Sequence, residues 1–271
     1  MDLTAVSGVR LADDLRVLGV RPGGVLMVHT RMSALGWVIG GTETIVRALL
    51  DVLGPEGTLV AYASWQEHVY RAEDWPAEHR AAYVAAPPAF DPATGEVARD
   101  YGRVPERVRT WPGALRSTHP EASVAAVGAR AAWVTGEHPD DDGYGPRSPF
   151  ARLVEADGQV LMLGAPLDTI TLLHHAEAVA RVPGKRTVTY RVTLAGDGGL
   201  RERTYTDIDT SLGAFPYDTL GLEEDEFAVV ARAALDAGIG TRGTVGDGES
   251  HLFPAPALTA FAVTWMEERF A

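Results

Sequence analysis

The sequence contains no cysteine among its 271 residues. Disulfide bonds, thiolate metal sites and cysteine nucleophiles are therefore excluded. A covalent acyl-enzyme would need serine, threonine, lysine or a carboxylate as its nucleophile. The lack of thiols removes several common classes of active site before any motif is considered.

Long apolar segments are also missing. No apolar run approaches the roughly 18 residues that a membrane-spanning helix requires. Residues 1–14 do not combine a basic start with an apolar core, which is the pattern of a signal peptide. We therefore expect a cytoplasmic protein with no membrane partner.

Positive charge is in deficit. The chain has 24 basic and 37 acidic residues, which gives a formal net charge of −13. Such an excess argues against binding to nucleic acid, whose phosphates attract lysine and arginine. It is consistent with a cationic ligand, although acidic composition can also serve solubility alone.

What the sequence does contain is a strand–helix–strand pattern near its start. This order is typical of a βαβ unit and predicts an α/β fold. No repeat or linker interrupts the chain, so we expect one domain over residues 1–271. The first predicted elements are a helix capped by Ser7 and ending near Leu18, a strand over 25–28, a helix capped by Thr42 and ending near Leu53, and a strand over 58–62.

The regular alternation breaks over residues 64–96, where aromatic residues lie among charges and prolines. Long irregular segments in compact domains are commonly functional, so we predict an insertion that borders the site. Strands at 186–194 and 200–209, joined by a turn at 196–199, predict a β-hairpin. The other predicted elements are a helix near 98–110, a strand at 123–127, a helix from Ser148 to Val154, a strand at 159–163, and helices near 223–237 and 256–268.

The most informative stretch holds a histidine and a carboxylate one helical turn apart. Thr169 or Thr171 can cap a helix, which places His174 near its start and Glu177 on the same face. A histidine beside a carboxylate is a common proton acceptor at neutral pH. A metal ligand or a packed helix histidine are the alternatives, and neither an HExxH nor a GxSxG motif occurs.

A second candidate is a pair of aspartates, Asp207 and Asp209, on a predicted strand. Residues two apart on a strand point to one face, and adjacent carboxylates repel unless a cation lies between them. The pair could therefore bind an ammonium group or a metal ion. The alternative is a solvated strand end.

Two loops have residues suited to phosphate. Thr30, Arg31 and Ser33 follow the first strand, and residues 116–120 precede another. Neither is a Walker loop or a GxGxxG motif, so ordinary loop chemistry remains open. The acidic loop over 140–142 is expected to be solvated, although the Gly-Tyr-Gly that follows could reach a ligand.

These and other motifs, in order and over almost the whole chain, resemble the aminoglycoside 3-N-acetyltransferase family. They are PGGVLMVHT (22–30), SALGWV (33–38), GPEGTLV (54–60), RSTHP (116–120), DDGYG (141–145), SP (148–149), VLMLG (160–164), HHAE (174–177), VG (245–246) and LF (252–253). The resemblance implies a three-layer α/β/α fold with a mixed central sheet. It also implies acetyl transfer from acetyl-coenzyme A to the 3-amino group of a 2-deoxystreptamine aminoglycoside, with no metal.

The resemblance further implies roles for particular residues. His174 matches the catalytic histidine, with Glu177 on the same helix. The residues that match coenzyme A contacts are His29, Thr30, Arg31, Met32, Ser33, Leu35, Gly36, Ser117, Thr118, His119, Ser123 and Val124. Those that match acceptor contacts are Tyr62, Glu67, Asp142, Tyr144, Asp207 and Asp209. Arg31 and Met32 stand where small serine-type residues are expected, and Asp207 is a glutamate in some relatives.

The expected mechanism is direct transfer in a ternary complex, because no cysteine is present to carry the acyl group. His174 would take a proton from the amine, and Asp207, Asp209 or Glu177 would orient its ring. A monomer and a homodimer are both open. The alternatives are an acetyltransferase of the same fold acting on another amine, a metal-dependent hydrolase, and a binding protein that has lost turnover.

Overall fold

A seven-stranded mixed sheet forms the centre of the protein, in a computed structural model that describes residues 5–65, 75–196 and 199–271. The strands are β2 (Val25–Thr30), β4 (Thr58–Tyr62), β6 (Leu115–Arg116), β7 (Val124–Gly128), β8 (Gln159–Leu163), β11 (Thr241–Val245) and β12 (Gly248–Pro254). Their order in the sheet is β11-β12-β8-β2-β4-β7-β6. β2 runs parallel to β4 and β8, and the other neighbours are antiparallel.

The sheet is covered on both faces, as the alternation of side chains in β2 shows. Val25 and Met27 lie in one buried apolar cluster, whereas Leu26 and Val28 lie in another. Period-two geometry sends successive strand residues to opposite faces, so the two clusters are the two sides of the sheet. The predicted three-layer α/β/α architecture is confirmed.

The helices divide between these two faces. One cluster contains buried residues of α1 (Gly8–Leu18), α2 (Gly41–Leu53) and α4 (Arg103–Arg109). The other contains residues of α5 (Ala131–Val134), α6 (Pro149–Glu155), α7 (Leu172–Val179), α8 (Glu226–Asp236) and α9 (Ala255–Phe270). Within the part of the chain that the structure describes, no helix is both long and apolar enough to cross a bilayer.

Two of the predicted helix caps form, and a third does not. The Ser7 hydroxyl accepts from the Arg10 N–H over 3.2 Å, and Ser148 caps α6 with Pro149 in its first turn. The predicted Thr42 cap is wrong, because α2 begins at Gly41 and its N-cap is Gly40 at φ +81°. Glycine adopts this left-handed conformation without the strain that a β-carbon would add.

The segment predicted as an irregular insertion contains regular structure. α3 (Ala77–Ala85) and β5 (Ala89–Phe90) form there, so the prediction of a wholly irregular segment is wrong. Residues 66–74 lie outside the described part of the chain. β5 pairs in parallel with β9 (Thr187–Leu194), so this segment joins the second sheet.

The predicted hairpin forms that second sheet. β9 and β10 (Arg201–Ile208) pair antiparallel along their whole lengths. Tyr190 and Tyr205 stack with ring centroids 5.6 Å apart, beside the buried Phe90. A short parallel pair of β1 (Ala5–Val6) and β3 (Trp37–Val38) completes the strands described. The antiparallel β11 and β12 at the sheet edge are not among the predicted elements.

Candidate active site

A cavity of about 780 Å³ opens at the carboxyl ends of the parallel strands β2 and β4. Clefts at the carboxyl ends of parallel strands are the usual ligand sites of α/β sheets. Residues of the loop after β2 form one wall, and the first turn of α7 brings His174 to another. The cavity therefore gathers residues that are far apart in the sequence.

His174 and Glu177 form a hydrogen-bonded pair beside this cavity. Nδ1 of His174 lies 2.7 Å from Oε2 of Glu177, and the two side chains are 18% and 0% exposed. Because they are three residues apart on α7, the helical period alone places them together. The predicted shared face is confirmed.

Donors hold the other carboxylate oxygen of Glu177. The Ala214 N–H and the Tyr217 O–H donate to Oε1 over 3.0 and 2.9 Å. A carboxylate that accepts from these donors is fixed in position. It therefore favours the His174 tautomer that carries its proton on Nδ1, and Nε2 is left as a proton acceptor.

The ring of His174 lies between two aromatic side chains. Its centroid is 5.2 Å from that of Tyr144 and 4.6 Å from that of Phe227, and all three residues line the cavity. Within the described ranges no side chain or backbone group is hydrogen-bonded to Nε2. This imidazole is thus held in place and has one nitrogen available to a ligand.

The predicted threonine caps of this helix are wrong. Thr171 occupies the N-cap position of α7, but its hydroxyl makes no capping hydrogen bond. The Thr169 hydroxyl donates instead to the Pro166 carbonyl over 2.8 Å. Both threonines line the cavity, so these polar side chains face the space that a ligand would occupy.

The loop after β2 also lines the cavity, as its predicted role requires. His29, Thr30, Arg31, Met32 and Ser33 all contribute to the wall. Burial lowers the pKa of His29 to about 4, so its ring is neutral at pH 7. The Arg31 side chain is exposed and has no acidic partner among the residues placed by the structure.

Two further residues of this loop do not reach the cavity. Leu35 is fully buried in the apolar cluster of α1 and α2. Gly36 has φ +81°, and a β-carbon there would lie 2.3 Å from Oδ2 of Asp247. Both residues therefore shape the loop, and their contact with coenzyme A stays a prediction.

The second predicted loop is turned into the protein. Ser117, His119, Ser123 and Val124 are buried, Thr118 is exposed, and none of the five lines the cavity. The Ser117 hydroxyl accepts from the Val124 N–H over 3.0 Å, and the Ser123 hydroxyl donates to the Ala63 carbonyl over 2.7 Å. The hydroxyls of Ser117 and Ser123 thus satisfy backbone groups inside the fold, and the contact of this loop with coenzyme A stays a prediction.

Two predicted acceptor residues, Tyr62 and Tyr144, meet in the cavity wall. Their hydroxyls are 2.8 Å apart, and the Tyr62 hydroxyl donates to the Glu121 carbonyl over 2.8 Å. Tyr101, which the sequence did not single out, packs edge-on against Tyr62 at 4.7 Å. The wall opposite the β2 loop is therefore built from tyrosines.

The two aspartates predicted to form one clamp have different hydrogen-bond partners. Asp207 is buried, and its Oδ1 accepts from the Gly143 N–H over 2.7 Å. β10 ends at Ile208, so the strand period does not extend to Asp209. Oδ1 of Asp209 accepts from the backbone N–H groups of Ser211 and Leu212 over 2.9 and 3.1 Å.

The remaining predicted acceptor residues also lie elsewhere. Oδ2 of Asp142 accepts from the Arg147 N–H over 2.8 Å, and Asp142 is not on the cavity wall. Glu67 lies outside the described residues. Acidic residues that the sequence analysis missed do line the cavity, namely Asp100, Glu121 and Asp168. No spacing in the sequence distinguishes them from other carboxylates, because the tertiary fold brings them together.

The side chains of the described residues do not form a ligand set of the kind that metal ions require. No group of three or more histidine, aspartate or glutamate side chains converges there as metal ligands would. The contacts of Asp207 are with Gly143, His119 and Tyr190 rather than with His174. The carboxylate of Glu177 is instead committed to hydrogen bonds with protein donors.

A fixed imidazole that faces a deep cavity, with a buried carboxylate behind it, defines an enzyme site suited to proton transfer during group transfer. The profile of the family described as "Aminoglycoside 3-N-acetyltransferase" matches residues 27–267. Aminoglycoside N(3)-acetyltransferase VII of Streptomyces paromomycinus is 50% identical over 266 residues, with 97% of this chain and 92% of that protein covered. The chain belongs to the aminoglycoside 3-N-acetyltransferase family, and the predicted enzyme class is confirmed.

Solved structures agree with this assignment. The structure described as "AAC-IIIb binary with CoASH" has a TM-score of 0.91 and 44% identity, with 99% of this chain and 98% of that chain covered. A structure described as sisomicin-bound AAC-VIa has a TM-score of 0.90 and 38% identity, with 99% and 100% covered. These likenesses extend over the whole fold.

Proposed function

We propose that this enzyme transfers the acetyl group of acetyl-coenzyme A to the 3-amino group of 2-deoxystreptamine aminoglycosides, with His174 as the general base. The observation that carries the proposal is the 2.7 Å contact between Nδ1 of His174 and Oε2 of Glu177 beside the cavity. It leaves Nε2 as the acceptor for the proton of the amine.

The reaction needs such a base because an amine attacks a thioester only when it is unprotonated. The amines of a bound aminoglycoside are largely ammonium ions at neutral pH. Nε2 of His174 accepts one proton, and the Glu177 carboxylate stabilises the imidazolium that forms. General base catalysis of this kind contributes about 10²–10⁴ in rate.

The acetyl group passes directly from the sulfur of the donor to the nitrogen of the acceptor. The C–N bond of the new amide forms as the C–S bond of the thioester breaks, and the sulfur leaves as a thiolate. A thiolate of pKa about 8.5, by analogy with cysteine, needs little acid assistance. The proton that His174 holds is then available to the thiolate or to solvent. Since the chain has no cysteine, no thiol can carry the acetyl group between the two substrates.

The loop after β2 is suited to the acyl donor. The exposed guanidinium of Arg31, which has no acidic partner among the described residues, can bind a phosphate. The hydroxyls of Thr30 and Ser33 and the side chain of Met32 line the same wall. The similar AAC-IIIb structure is described as a binary complex with CoASH, which supports this class of donor.

The acidic and aromatic walls are suited to a polycationic acceptor. Asp100, Glu121 and Asp168 line the cavity together with Tyr62 and Tyr144. Several carboxylates and phenols can hold an aminoglycoside through its ammonium and hydroxyl groups, and the net charge of −13 favours its approach. The sisomicin that is named with the similar AAC-VIa structure supports this class of acceptor.

The proposal treats residues 1–271 as a single catalytic domain that acts in the cytoplasm. The two sheets support one domain, because β10 contributes Asp207 to the loop that carries Tyr144. The direct test measures thiol release from acetyl-coenzyme A with kanamycin- and gentamicin-type aminoglycosides and with simple amines as controls. NMR of the product then identifies the acetylated nitrogen. We expect turnover only with the aminoglycosides and acetylation at position 3; acetylation of another nitrogen, or faster reaction with simple amines, would contradict the proposal.

A further inference from the structure

Three buried side chains hold the backbone next to Tyr144. The Gly143 N–H donates to Oδ1 of Asp207 over 2.7 Å, and Nε2 of His138 lies 2.9 Å from the Gly143 carbonyl oxygen. Nδ1 of His175 lies 2.7 Å from the Tyr144 carbonyl oxygen. Since a carbonyl only accepts, both imidazoles are the donors. Three polar groups of this short backbone stretch are thus fixed by side chains from other parts of the fold.

The approach of Asp207 to this backbone requires a glycine. A β-carbon at position 143 would lie 2.4 Å from Oδ1 of Asp207, which is far inside van der Waals contact. The carboxylate is 5% exposed, so it presents almost no surface to a ligand. The same loop is tied to β10 at its outer end, where Asp140 pairs with Arg203 over 2.6 Å.

The other contacts of Asp207 are with the side chains of His119 and Tyr190 in the protein interior. Nδ1 of His119 accepts from the Ala122 N–H over 2.9 Å, so the ring nitrogen that faces Asp207 is Nε2. That Nε2 lies 3.0 Å from Oδ2 of Asp207 without hydrogen-bond geometry, and the Tyr190 hydroxyl donates to the same oxygen over 3.3 Å. Asp207 thus accepts from Gly143 and Tyr190 and contacts His119 at the centre of a buried network.

His138 belongs to the same network. Its ring stacks on that of His119 with centroids 4.8 Å apart, and its Nδ1 lies 3.0 Å from the Ser117 hydroxyl. Burial holds the pKa of His138 well below its usual value, so the ring is neutral. Because its Nε2 donates to Gly143, its Nδ1 accepts from Ser117. Ser117, His138 and Gly143 are thus joined by donors and acceptors that match.

What this network fixes is a wall of the proposed active site. The ring of Tyr144 lies 5.2 Å from that of His174, and its hydroxyl is 2.8 Å from that of Tyr62. We propose that Asp207, supported by His119 and His138, is a positioning residue that holds Tyr144 against His174 and does not itself bind the aminoglycoside. This inference rests on the proposed function, because it assigns Tyr144 and His174 to the acetyl-transfer site.

Kinetics of Asp207→Asn separate positioning from substrate binding and from a purely structural role. The substituted side chain has one acceptor oxygen, so it cannot accept from both the Gly143 N–H and the Tyr190 hydroxyl, and the position of the loop is expected to change. Misplacement by about 1 Å can cost about 10² in rate. With sisomicin as acceptor we expect kcat to fall about 10–100-fold, with the acceptor KM and its salt dependence changed less than about twofold.

Other results of this experiment overturn the proposal. A salt-dependent rise in acceptor KM at unchanged kcat would show that Asp207 binds the substrate directly. A lower melting temperature with unchanged kcat and KM would show a role in stability alone. Arg203→Gln is the matched control, because it breaks the exposed contact between the same loop and strand; its kinetics should stay within about twofold of wild type. If Asp207→Asn does not fold, Tyr190→Phe removes one donor to the carboxylate and should lower kcat in the same sense.

Histidine ring NMR keeps this test independent of the proposed function. The ¹H and ¹⁵N signals of His174 should shift in Asp207→Asn, because the ring of Tyr144 moves relative to the imidazole, and should not shift in Arg203→Gln. Unmoved His174 signals in Asp207→Asn would overturn the positioning role whatever the reaction. Failure of the wild-type enzyme to acetylate any aminoglycoside would instead overturn the proposed function, while the NMR result would still decide whether Asp207 positions Tyr144.

Discussion

The Tyr217 hydroxyl donates to Oε1 of Glu177 over 2.9 Å, while the other oxygen of this carboxylate faces His174. Burial and the nearby Glu177 raise the pKa of Tyr217 above its usual value, so the phenol keeps its proton and remains a donor. Glu177 therefore accepts hydrogen bonds on both sides. The contact of its Oε2 with Nδ1 sets which nitrogen of His174 is left to act as a base.

Replacing Glu177 by glutamine tests this arrangement with little change in shape. If the amide oxygen accepts from the Ala214 N–H and the Tyr217 hydroxyl, the NH₂ group faces Nδ1 of His174, and the substitution also removes the charge that stabilises the imidazolium. We expect kcat to fall by about 10²–10³, since the wrong tautomer of the base is then favoured. Thiol release at saturating acceptor measures this, with Tyr217→Phe as the matched variant that retains the carboxylate and loses about tenfold or less. A Glu177→Gln enzyme within threefold of wild type would show that the carboxylate does not serve the base.

The charge of Asp209 can be separated from its role in the loop. Its Oδ1 accepts hydrogen bonds within residues 209–212, and Thr210 and Ser211 line the cavity. Asparagine keeps this acceptor but removes the charge, so Asp209→Asn should raise the acceptor KM about three- to tenfold at low ionic strength. The two enzymes should converge near 0.5 M salt, where the Debye length is only a few ångströms.

Asp209→Ala is the comparison, because it loses the loop hydrogen bonds as well as the charge. It should raise the acceptor KM at every salt concentration. Equal KM values for wild type and Asp209→Asn at low salt would show that this carboxylate does not attract the aminoglycoside.

Stability should fall as the pH is lowered through the range of histidine titration. Burial lowers the pKa of His29 to about 4, and it also lowers the pKa of His138 and of His175. Below about pH 6.5 the unfolded chain binds protons that the folded protein does not, so the free energy of unfolding decreases on acidification. Each such imidazole contributes up to about 1.4 kcal/mol per pH unit.

Urea denaturation at pH 7.5 and pH 5.5, at constant ionic strength, measures this dependence. We expect the protein to be less stable at pH 5.5 by on the order of 3 kcal/mol. Burial also lowers the pKa of His251, which is outside the proposed catalytic residues, so His251→Gln should reduce part of the difference. Equal or greater stability at pH 5.5 would contradict the neutral, buried state of these rings.

Much of the fold and the central pair of the site could be predicted because short-range periodicity determines them. The three-residue spacing of His174 and Glu177 places them on one face of any helix. The apolar strands at 58–62 and 159–163 and the serine caps at Ser7 and Ser148 depend on equally local signals. Tertiary contacts did not need to be known for these features.

Other features depend on contacts between distant parts of the chain. The strand period suggested one face for Asp207 and Asp209, but β10 ends between them and Asp207 is drawn to Gly143. The sequence pattern suggested Ser117 as a phosphate ligand, whereas its hydroxyl accepts a hydrogen bond from the Val124 N–H. Glu121 lines the cavity because tertiary packing places it there, and no local sequence pattern indicates this position. Sequence patterns carry the local geometry, whereas these partners are set by three-dimensional packing.

The account depends most on Nε2 of His174 as the proton acceptor, and the His174→Ala variant tests it most directly. Thiol release from acetyl-coenzyme A with sisomicin gives kcat, and calorimetric titration gives the dissociation constant of coenzyme A. We predict that kcat falls by about 10²–10⁴ while coenzyme A binding changes less than about twofold. A His174→Ala enzyme that acetylates sisomicin at the wild-type rate would contradict the account.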